Sequence, residues 1–302
     1  MQKTPLLAWV LLFTLAFIWG SSFILIKKGL VGLTPQEVGS LRIASASLFL
    51  LPSAIRRVKY VDRKRIAYLV FSGFLGSLIP AFLFAIAQTR LESAITGVLN
   101  GLVPIFTILI ALFVFGQKQT KAVYAGVIIG FIGTAILITA GEGNSLNGIN
   151  VFALLVVLAT LCYASNLNLI KQKLNDLHAV TVTSVSLILV GPIALIYLFG
   201  FTDFWSKLLT QESTGMATFY ICLLGVLGTA IALIIFNKIL QMKNALFASS
   251  VTYIIPIFAV MWGVLDGEKL YVMHFIGMLA VGVGVYIANT NRAAHRNAGK
   301  TK

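Results

Sequence analysis

Arg42 is the only charged side chain that lies well inside one of the long apolar runs of this sequence, away from its ends. A charge in such surroundings is costly, so it marks a candidate for function. No acid lies three or four residues away on either side, so an ion pair within one helix is unavailable. The partner of Arg42 is therefore another helix, backbone carbonyls, water or the carboxylate of a ligand. A structural role and direct ligand contact both stay open.

Two prolines in apolar runs, Pro104 and Pro256, each follow a polar residue by four positions. Because proline has no N–H, it leaves the carbonyl of the residue four positions earlier without its helical partner. We therefore expect the carbonyls of Asn100 and Thr252 to be free acceptors beside polar side chains. The alternative is a simple kink in which neighbouring groups satisfy these carbonyls.

Other polar and aromatic side chains fall at matching depths of their apolar runs. The asparagines are the costliest of them to bury, whereas single serines and threonines more often hydrogen-bond between helices, and single aromatic residues more often pack. We predict that these side chains line a central binding cavity together with Arg42 and the two proline sites. They are Trp19, Ser22, Phe84, Tyr163, Asn166, Thr229, Asn237 and Tyr253.

The sequence lacks the groupings that catalysis or metal binding would need. Cys162 and Cys222 have no partner at metal-ligand spacing, no nucleophile stands beside a base in the apolar runs, and no phosphate-binding glycine loop occurs. We expect no enzymatic activity, no cofactor and no metal site. All nine acids lie in connections or at the ends of runs. Proton coupling would thus fall to Glu92, Glu268 or His274, with facilitated exchange and a merely packed histidine as the alternatives.

The composition places these residues in a membrane protein. Of 302 residues, 59% are hydrophobic and 11% charged, whereas soluble domains have about 25% charged residues. A helix that crosses a bilayer needs about 20 apolar residues, and the chain has ten such runs. We predict an all-α integral membrane protein with ten transmembrane helices. The predicted spans are residues 6–27, 35–55, 66–88, 92–115, 120–140, 149–171, 179–200, 215–239, 244–265 and 270–290.

The net charge of +14 is distributed unevenly between the two sides. With the N-terminus inside, seventeen Lys and Arg side chains fall in cytoplasmic segments and five in external ones. This asymmetry follows the positive-inside rule. It predicts a multi-pass protein of the cell (inner) membrane with both termini in the cytoplasm. The positive charge then indicates topology and contact with anionic lipid rather than nucleic-acid binding.

The chain contains an internal repeat. Residues Gly73–Phe84 match Gly225–Phe236 at an offset of 152, and the same offset carries Pro104 onto Pro256. Each half holds five spans, and because five is odd, the second half must enter the membrane from the opposite side. Such inverted repeats are typical of secondary transporters, whose site lies near the midplane between the repeats. The predicted five-helix domains are residues 6–140 and 149–290, followed by a cytoplasmic basic tail over residues 291–302.

Several motifs together suggest a family. The first span contains Phe17-Ile-Trp-Gly-Ser-Ser-Phe23, the second contains Leu41-Arg42, and the ninth is followed by Gly267-Glu268-Lys269-Leu270. From about residue 8 to 290, this pattern resembles the drug/metabolite transporter superfamily, in its EamA-type ten-helix branch. The resemblance implies an inner-membrane carrier, usually an exporter of amino acids or other small metabolites. The sequence departs from the usual pattern at Gly116-Gln117, where a glutamate commonly follows the glycine.

We therefore predict a secondary transporter that exports amino acids or similar small metabolites by alternating access. An efflux carrier for drugs or quaternary amines is disfavoured because mid-membrane acids are missing, and a passive channel is disfavoured by the broken, symmetric helices. The expected partners are a small-molecule substrate and the lipid bilayer. Glycine rows in the fifth and tenth spans predict close helix packing, either in the scaffold or in a homodimer. These are Gly126, Gly130, Gly133, Gly277, Gly282 and Gly284.

Overall fold

The computed structural model describes residues 6–116, 120–140, 150–242 and 251–298, and these residues form helices without a strand. Within them, eight helices are long and apolar enough to cross a membrane, and two further apolar stretches, Val251–Leu265 and Val272–Ala288, are shorter. Large apolar side chains are widely exposed on these helices, as at Leu48 (53%) and Phe113 (78%). Such apolar surfaces are suited to contact with lipid rather than with water. The predicted all-helical membrane class is thus confirmed.

Ten of the described helices coincide with the predicted spans and are numbered accordingly, and a further short helix, Phe204–Thr210, lies between the seventh and eighth of them. Most of their ends lie within a few residues of the predicted limits, but the last helix continues well beyond them. The start of the ninth predicted span, residues 244–250, lies outside the described residues. The helices are α1 Leu6–Gly29, α2 Pro35–Arg57, α3 Arg63–Ala87, α4 Ser93–Phe113, α5 Lys121–Thr139, α6 Val151–Lys173, α7 Ala179–Gly200, α8 Glu212–Phe236 with a continuation to Met242, α9 Val251–Leu265 and α10 Val272–Ala298.

Local sequence explains several helix starts. Thr34 and Glu37 form a capping box at α2: the Glu37 N–H donates to Thr34 Oγ1 (3.3 Å) and the Thr34 N–H donates to Glu37 Oε2 (2.7 Å). Pro35 occupies the first turn of α2, where its missing N–H costs nothing. The side chains of Thr120 and Asn150 cap α5 and α6 in a similar way.

Three helices are irregular near their middle. Helix α3 contains a π-helical segment at Phe74–Leu78, α8 contains one at Leu224–Ile231, and α4 contains a 3₁₀ turn at Asn100–Leu102. Pro80 follows the first π-helical segment, but Ala232 stands at the equivalent position of the second. A proline is therefore not required for the formation of these π-helical segments. Such segments frequently lie at functional sites.

The helices pack in a reciprocal pattern. Helix α1 contacts α8 and α9, whereas α6 contacts α3 and α4. Helix α2 packs along α7, and α5 packs along α10. The largest buried apolar cluster takes residues from all ten helices, with the most from α1, α4 and α8, so one continuous core joins the bundle.

Helices α5 and α10 approach each other through their glycines. A Cβ atom built on Gly133 would lie 2.8 Å from the Gly277 carbonyl oxygen, and one on Gly126 would lie 2.7 Å from the Gly284 carbonyl oxygen. Only glycine leaves room for this backbone contact. The glycine rows therefore serve the scaffold within one chain, apart from Gly282, which has nothing within 4 Å.

Candidate functional site

Arg42 lies among side chains from three other helices. Its Nε donates a hydrogen bond to Thr229 Oγ1 in the π-helical segment of α8 at 3.3 Å. The guanidinium also lies beside the hydroxyl of Tyr163 on α6 and interacts with it. The Tyr163 ring stacks on Phe84 of α3, with 6.0 Å between the ring centroids. These four predicted residues thus come together, and no described carboxylate contacts the guanidinium.

Trp19 extends this group along the π-helical segment of α8. Its indole Nε1 donates to the carbonyl of Gly228 at 3.0 Å, and its ring lies 5.7 Å from that of Phe236. Gly228 directly precedes Thr229, so the indole and the guanidinium bind consecutive residues. The π-helical segment of α8 therefore holds Trp19 and Arg42 at one depth of the bundle.

Ser22 and Asn166 occupy equivalent places against the two π-helical segments. A Cβ atom on Gly228 would lie 2.9 Å from Ser22 Oγ, and one on Gly76 would lie 2.2 Å from Asn166 Nδ2. A side chain at either glycine would displace its neighbour. Asn166 Oδ1 is buried without a hydrogen-bond partner, which is costly unless a ligand or water supplies one.

The prediction of a free carbonyl at Asn100 is wrong. The 3₁₀ turn allows the Val103 N–H to donate to the Asn100 carbonyl, so the chain tightens ahead of Pro104 and satisfies this acceptor. The side chain of Asn100 differs, because its Oδ1 is buried without a partner. The turn itself contacts α6, α9 and α10. Asn100 thus offers a side-chain acceptor rather than a backbone one.

The remaining predicted residues are dispersed. Tyr253 turns towards α10: its hydroxyl donates to the Val285 carbonyl at 3.5 Å, and its ring lies 6.1 Å from that of Tyr286. Thr252 and Pro256 lie one turn apart within α9, and both are partly buried. Asn237 belongs to α8, but its side chain lies outside the described residues. Tyr253 is therefore not brought to Arg42.

One buried amide was missed by the sequence analysis. Asn168 is 3% exposed, and its Nδ2 donates to the carbonyls of Ala164 (2.9 Å) and Thr107 (3.3 Å). It therefore fastens α6 to α4. The signal was present, since Asn168 follows Asn166 by two residues inside an apolar run. The sequence pattern does not show which of the two asparagine amides finds hydrogen-bond partners on neighbouring groups.

A cluster of five ionisable side chains closes one end of the bundle, here called the Lys27 end. Lys27 Nζ lies 2.9 Å from Asp266 Oδ2, 2.9 Å from Glu268 Oε1 and 3.6 Å from Glu92 Oε2, and Lys28 also pairs with Asp266. From the sequence, Glu92 and Glu268 were expected only as separate candidates for proton coupling. Their lysine partners were missed because the paired residues lie far apart along the chain.

Glu268 anchors this ionic cluster to the start of α4. Its carboxylate accepts hydrogen bonds from the N–H groups of Ser93 (2.9 Å) and Ala94 (3.0 Å) and from Ser93 Oγ (2.6 Å), and its side chain is fully buried. A helix start favours such a negative charge. Gly263 makes room, because a Cβ atom there would lie 2.3 Å from Glu268 Oε2.

The three carboxylates of the ionic cluster differ in acidity. Burial, assisted by the charge of Glu268, raises the pKa of Glu92. Hydrogen bonding to Lys28 lowers the pKa of Asp266. Burial acts to raise the pKa of Glu268, but the hydrogen bonds from Ser93, Ala94 and Lys27 outweigh it, and the net pKa is lowered. Glu92 is therefore the first of the three to take up a proton.

Other polar contacts lie at the two ends of the bundle. Near the Lys27 end, Lys207 Nζ pairs with the buried carboxylate of Glu37 at 3.0 Å. His274 is buried, which agrees with the alternative of a packed histidine, and its Nδ1 accepts a hydrogen bond from the Tyr271 N–H at 3.0 Å. At the opposite end, Arg65 Nη2 lies 2.6 Å from Asp176 Oδ2.

The whole chain resembles known transporters. The model of the EamA-like transporter family matches residues 6–139 and again residues 151–290. An uncharacterized transporter of Archaeoglobus fulgidus is 25% identical, over 94% of this chain and 99% of its own length. A probable amino-acid metabolite efflux pump of Escherichia coli K12 is 24% identical, over 92% of this chain and 93% of its own. A solved crystal structure shares the fold with a TM-score of 0.62 at 16% identity, covering 95% of this chain and 98% of that one.

These matches define a multi-pass membrane transporter. The chain belongs to the EamA-like transporter family. The names of its relatives point to transport rather than to enzymatic catalysis. They include the uncharacterized inner membrane transporter YedA of Escherichia coli K12, at 24% identity over 91% of this chain and 87% of that protein.

Proposed function

We propose that the protein is a secondary transporter that exports amino acids or similar small zwitterionic metabolites across the cell membrane. The observation that carries the proposal is the Arg42 site, where a guanidinium inside the bundle contacts only neutral side chains among the described residues. Family membership and the amino-acid metabolite efflux pumps among the relatives favour the same cargo.

We infer that the two halves, residues 6–140 and 149–290, are inverted repeats of five transmembrane helices. The family model matches each half separately. The helix contacts are reciprocal, since α1 packs on α8 and α9 as α6 packs on α3 and α4. The pairing of Ser22 with Gly228 mirrors that of Asn166 with Gly76. These correspondences are what a pseudo-twofold axis between the halves requires.

The distribution of basic residues supports one orientation in the membrane. Seventeen Lys and Arg fall on the side of the termini and five on the other, which supports a cytoplasmic location of both termini and of the basic tail over 291–302. The Lys27 end then faces outward in the cell (inner) membrane.

The ionic cluster fits the role of an outer gate in alternating access. Lys27 and Glu92 belong to the first half, whereas Asp266 and Glu268 belong to the second, so their contacts hold the halves together at the Lys27 end. Separation of these contacts would open the site outward. The ion pair between Arg65 and Asp176 joins the halves at the other end. During a transport cycle, the ionic contacts at one end would separate while those at the other end stay closed, and then the reverse.

The polar groups around Arg42 suit a zwitterion. The guanidinium offers charge-assisted donors for a carboxylate. Asn166 lies one helical turn from Tyr163, the contact of Arg42, and its unpartnered Oδ1 offers an acceptor for an ammonium group. Trp19, Phe84 and the other predicted side chains would form the walls. A quaternary-amine cargo is disfavoured because Arg42 would repel it and no described carboxylate lies beside Arg42.

Flux measurements with purified protein in liposomes test the function. Vesicles are loaded with labelled amino acids, and we expect saturable, substrate-specific efflux that an unlabelled amino acid on the opposite side accelerates by exchange. Empty liposomes provide the baseline. Flux that rises linearly with concentration without saturation would identify a channel instead, and saturable flux of quaternary amines alone would identify the alternative cargo.

A further inference from the structure

A groove runs along the surface of α1, between α8 and α9, and leads to the Lys27 end. It has a volume of about 400 Å³ and extends on α1 from Phe17 to Lys28. With a rise of 1.5 Å per residue, this stretch is about 16 Å long. The groove therefore runs along the direction in which lipid chains lie and has their elongated form.

The lining of the groove is apolar over most of its length. Ile18, Leu25 and Leu227 contribute to its walls, and the exposed side chains of Phe17 and Leu265 flank its opening. Water in such a groove at membrane depth would lack hydrogen-bond partners. An acyl chain fills the space without this penalty.

The groove crosses from one half of the chain to the other. Helix α1 belongs to the first half, and α8 and α9 belong to the second. Trp262 Nε1 on α9 donates to Ser21 Oγ on α1 at 2.8 Å within the lining, and Gly228 contributes the backbone carbonyl that holds Trp19. An occupant would therefore contact both halves close to the Arg42 site.

The end of the groove is charged with both signs. Lys28 and Asp266 both line it, with side-chain exposures of 42% and 17%. They belong to the ionic cluster, in which two lysines meet three carboxylates, so full ionisation leaves one excess negative charge. A headgroup that carries both a phosphate and a primary ammonium complements this pair.

We propose that the groove is a lipid-binding site for phosphatidylethanolamine. One acyl chain occupies the apolar channel, the phosphate meets Lys28, and the ammonium donates to the Asp266 carboxylate. Phosphatidylcholine lacks N–H donors for Asp266, and phosphatidylglycerol lacks the cation, so both fit less well. The bound lipid stabilises the contact between the two halves at the Lys27 end.

Native mass spectrometry of the full chain in detergent tests the site. Phosphatidylethanolamine, phosphatidylcholine and phosphatidylglycerol with identical acyl chains are added in turn, and bound lipid is counted per chain. We expect one tightly held phosphatidylethanolamine and loss of this adduct in Leu25→Trp, which fills the channel. Val10→Trp is the matched control, because Val10 is 51% exposed on the same helix but lies outside the groove. It should retain the lipid.

A second variant keeps the test independent of core packing. Lys28→Gln leaves the apolar channel intact and removes the phosphate partner that all three lipids share, so retention of each lipid should fall while phosphatidylethanolamine remains the best retained. Equal retention of the three lipids by the unmodified protein would overturn the headgroup assignment. Unchanged retention in Leu25→Trp, equal loss in Val10→Trp, or no retained lipid at all would overturn the site itself.

Discussion

Arg42 is the residue whose surroundings say most about the cargo. Its described contacts are the neutral hydroxyls of Thr229 and Tyr163, so its charge lacks a compensating carboxylate there. Arg57, near the end of the same helix, also donates to a neutral hydroxyl, that of Thr181. It differs from Arg42 in its position, because this contact lies close to the end of the bundle. We infer that a substrate carboxylate completes the Arg42 site.

Replacement of Arg42 by glutamine should therefore weaken the binding of carboxylates selectively. Loss of a hydrogen bond to a charged group costs about 1.5–3 kcal/mol, which corresponds to about ten- to hundredfold in affinity. Leucine should bind less tightly to Arg42→Gln, and leucinamide should bind equally to both proteins, as measured by ligand-induced thermal stabilisation. Arg56→Gln, exposed on the same helix, is the control. Equal loss for leucine and leucinamide would point to a purely structural Arg42.

Asn166 is expected to recognise the other end of the substrate. Its buried Oδ1 lacks a partner, so an ammonium group gains a hydrogen bond there. Asn166→Ala should reduce the affinity for leucine by about tenfold and leave that for 4-methylpentanoate, which has no amine, nearly unchanged. Thermal stabilisation by the two ligands provides the measurement. A parallel loss for both would show that Asn166 only supports the helix packing.

At this scale the sequence indicated which residue types matter but not their partners. Arg42 and Asn166 were recognisable as polar groups inside apolar runs. Tyr253 looked equivalent to them, yet it binds the backbone of α10, because helix rotation, which apolar periodicity defines poorly in an almost wholly apolar segment, decides where a side chain points. The 3₁₀ turn at Asn100 was likewise hidden, since proline removes one bond but does not state how the chain compensates.

Helix α3 approaches α6 closely at Gly76. A Cβ atom on Gly76 would lie 2.2 Å from Asn166 Nδ2, so Gly76→Ala should displace the Asn166 side chain from its packed position. Overpacking of this kind costs about 1–3 kcal/mol, and thermal unfolding in detergent should show it. Gly215→Ala in α8 is the control: nothing lies within 4 Å of Gly215, and alanine there should be neutral or stabilise by up to about 1 kcal/mol. A stable Gly76→Ala protein would refute the close contact.

The ionic cluster makes the connection between helix ends sensitive to pH. Glu92 has a raised pKa in the closed cluster, so protonation of Glu92 stabilises the closed form as the pH falls through that value. Glu268 and Asp266 have lowered pKa values, so their protonation at still lower pH destabilises it. The closed gate is therefore most stable in the acidic window between these pKa values.

Transport should accordingly slow as the external pH falls from neutral into this window. Glu92→Gln mimics the protonated carboxyl group, so its transport should already be slow at neutral pH and should change little on mild acidification. Initial rates in liposomes at several external pH values provide the measurement. Faster transport on mild acidification of the unmodified protein would contradict the gate assigned to this cluster.

At the scale of the whole molecule, the positions of the helices followed from hydropathy, whereas their contacts did not. Ten apolar runs separated by polar connections predicted where helices lie, and the structure has eight helices long enough to cross a membrane and two shorter apolar stretches at these places. The partnership of Lys27 with Glu268 could not be derived in this way, since it joins residues 241 positions apart. The internal repeat is the exception: matching segments in the two halves pointed to the reciprocal contacts that the helices make.

The inverted repeat and the orientation can be tested together with one pair of cysteines. Val31 and Asn175 lie 144 positions apart, the offset that relates the first helices of the halves, and both are exposed in the connection after α1 or α6. If the halves are inverted, these equivalent residues face opposite sides of the membrane. In a background without Cys162 and Cys222, a membrane-impermeant maleimide should label Val31→Cys in intact cells and Asn175→Cys only after permeabilisation. Labelling of both from the same side would refute the inverted topology, because equivalent positions would then share one face.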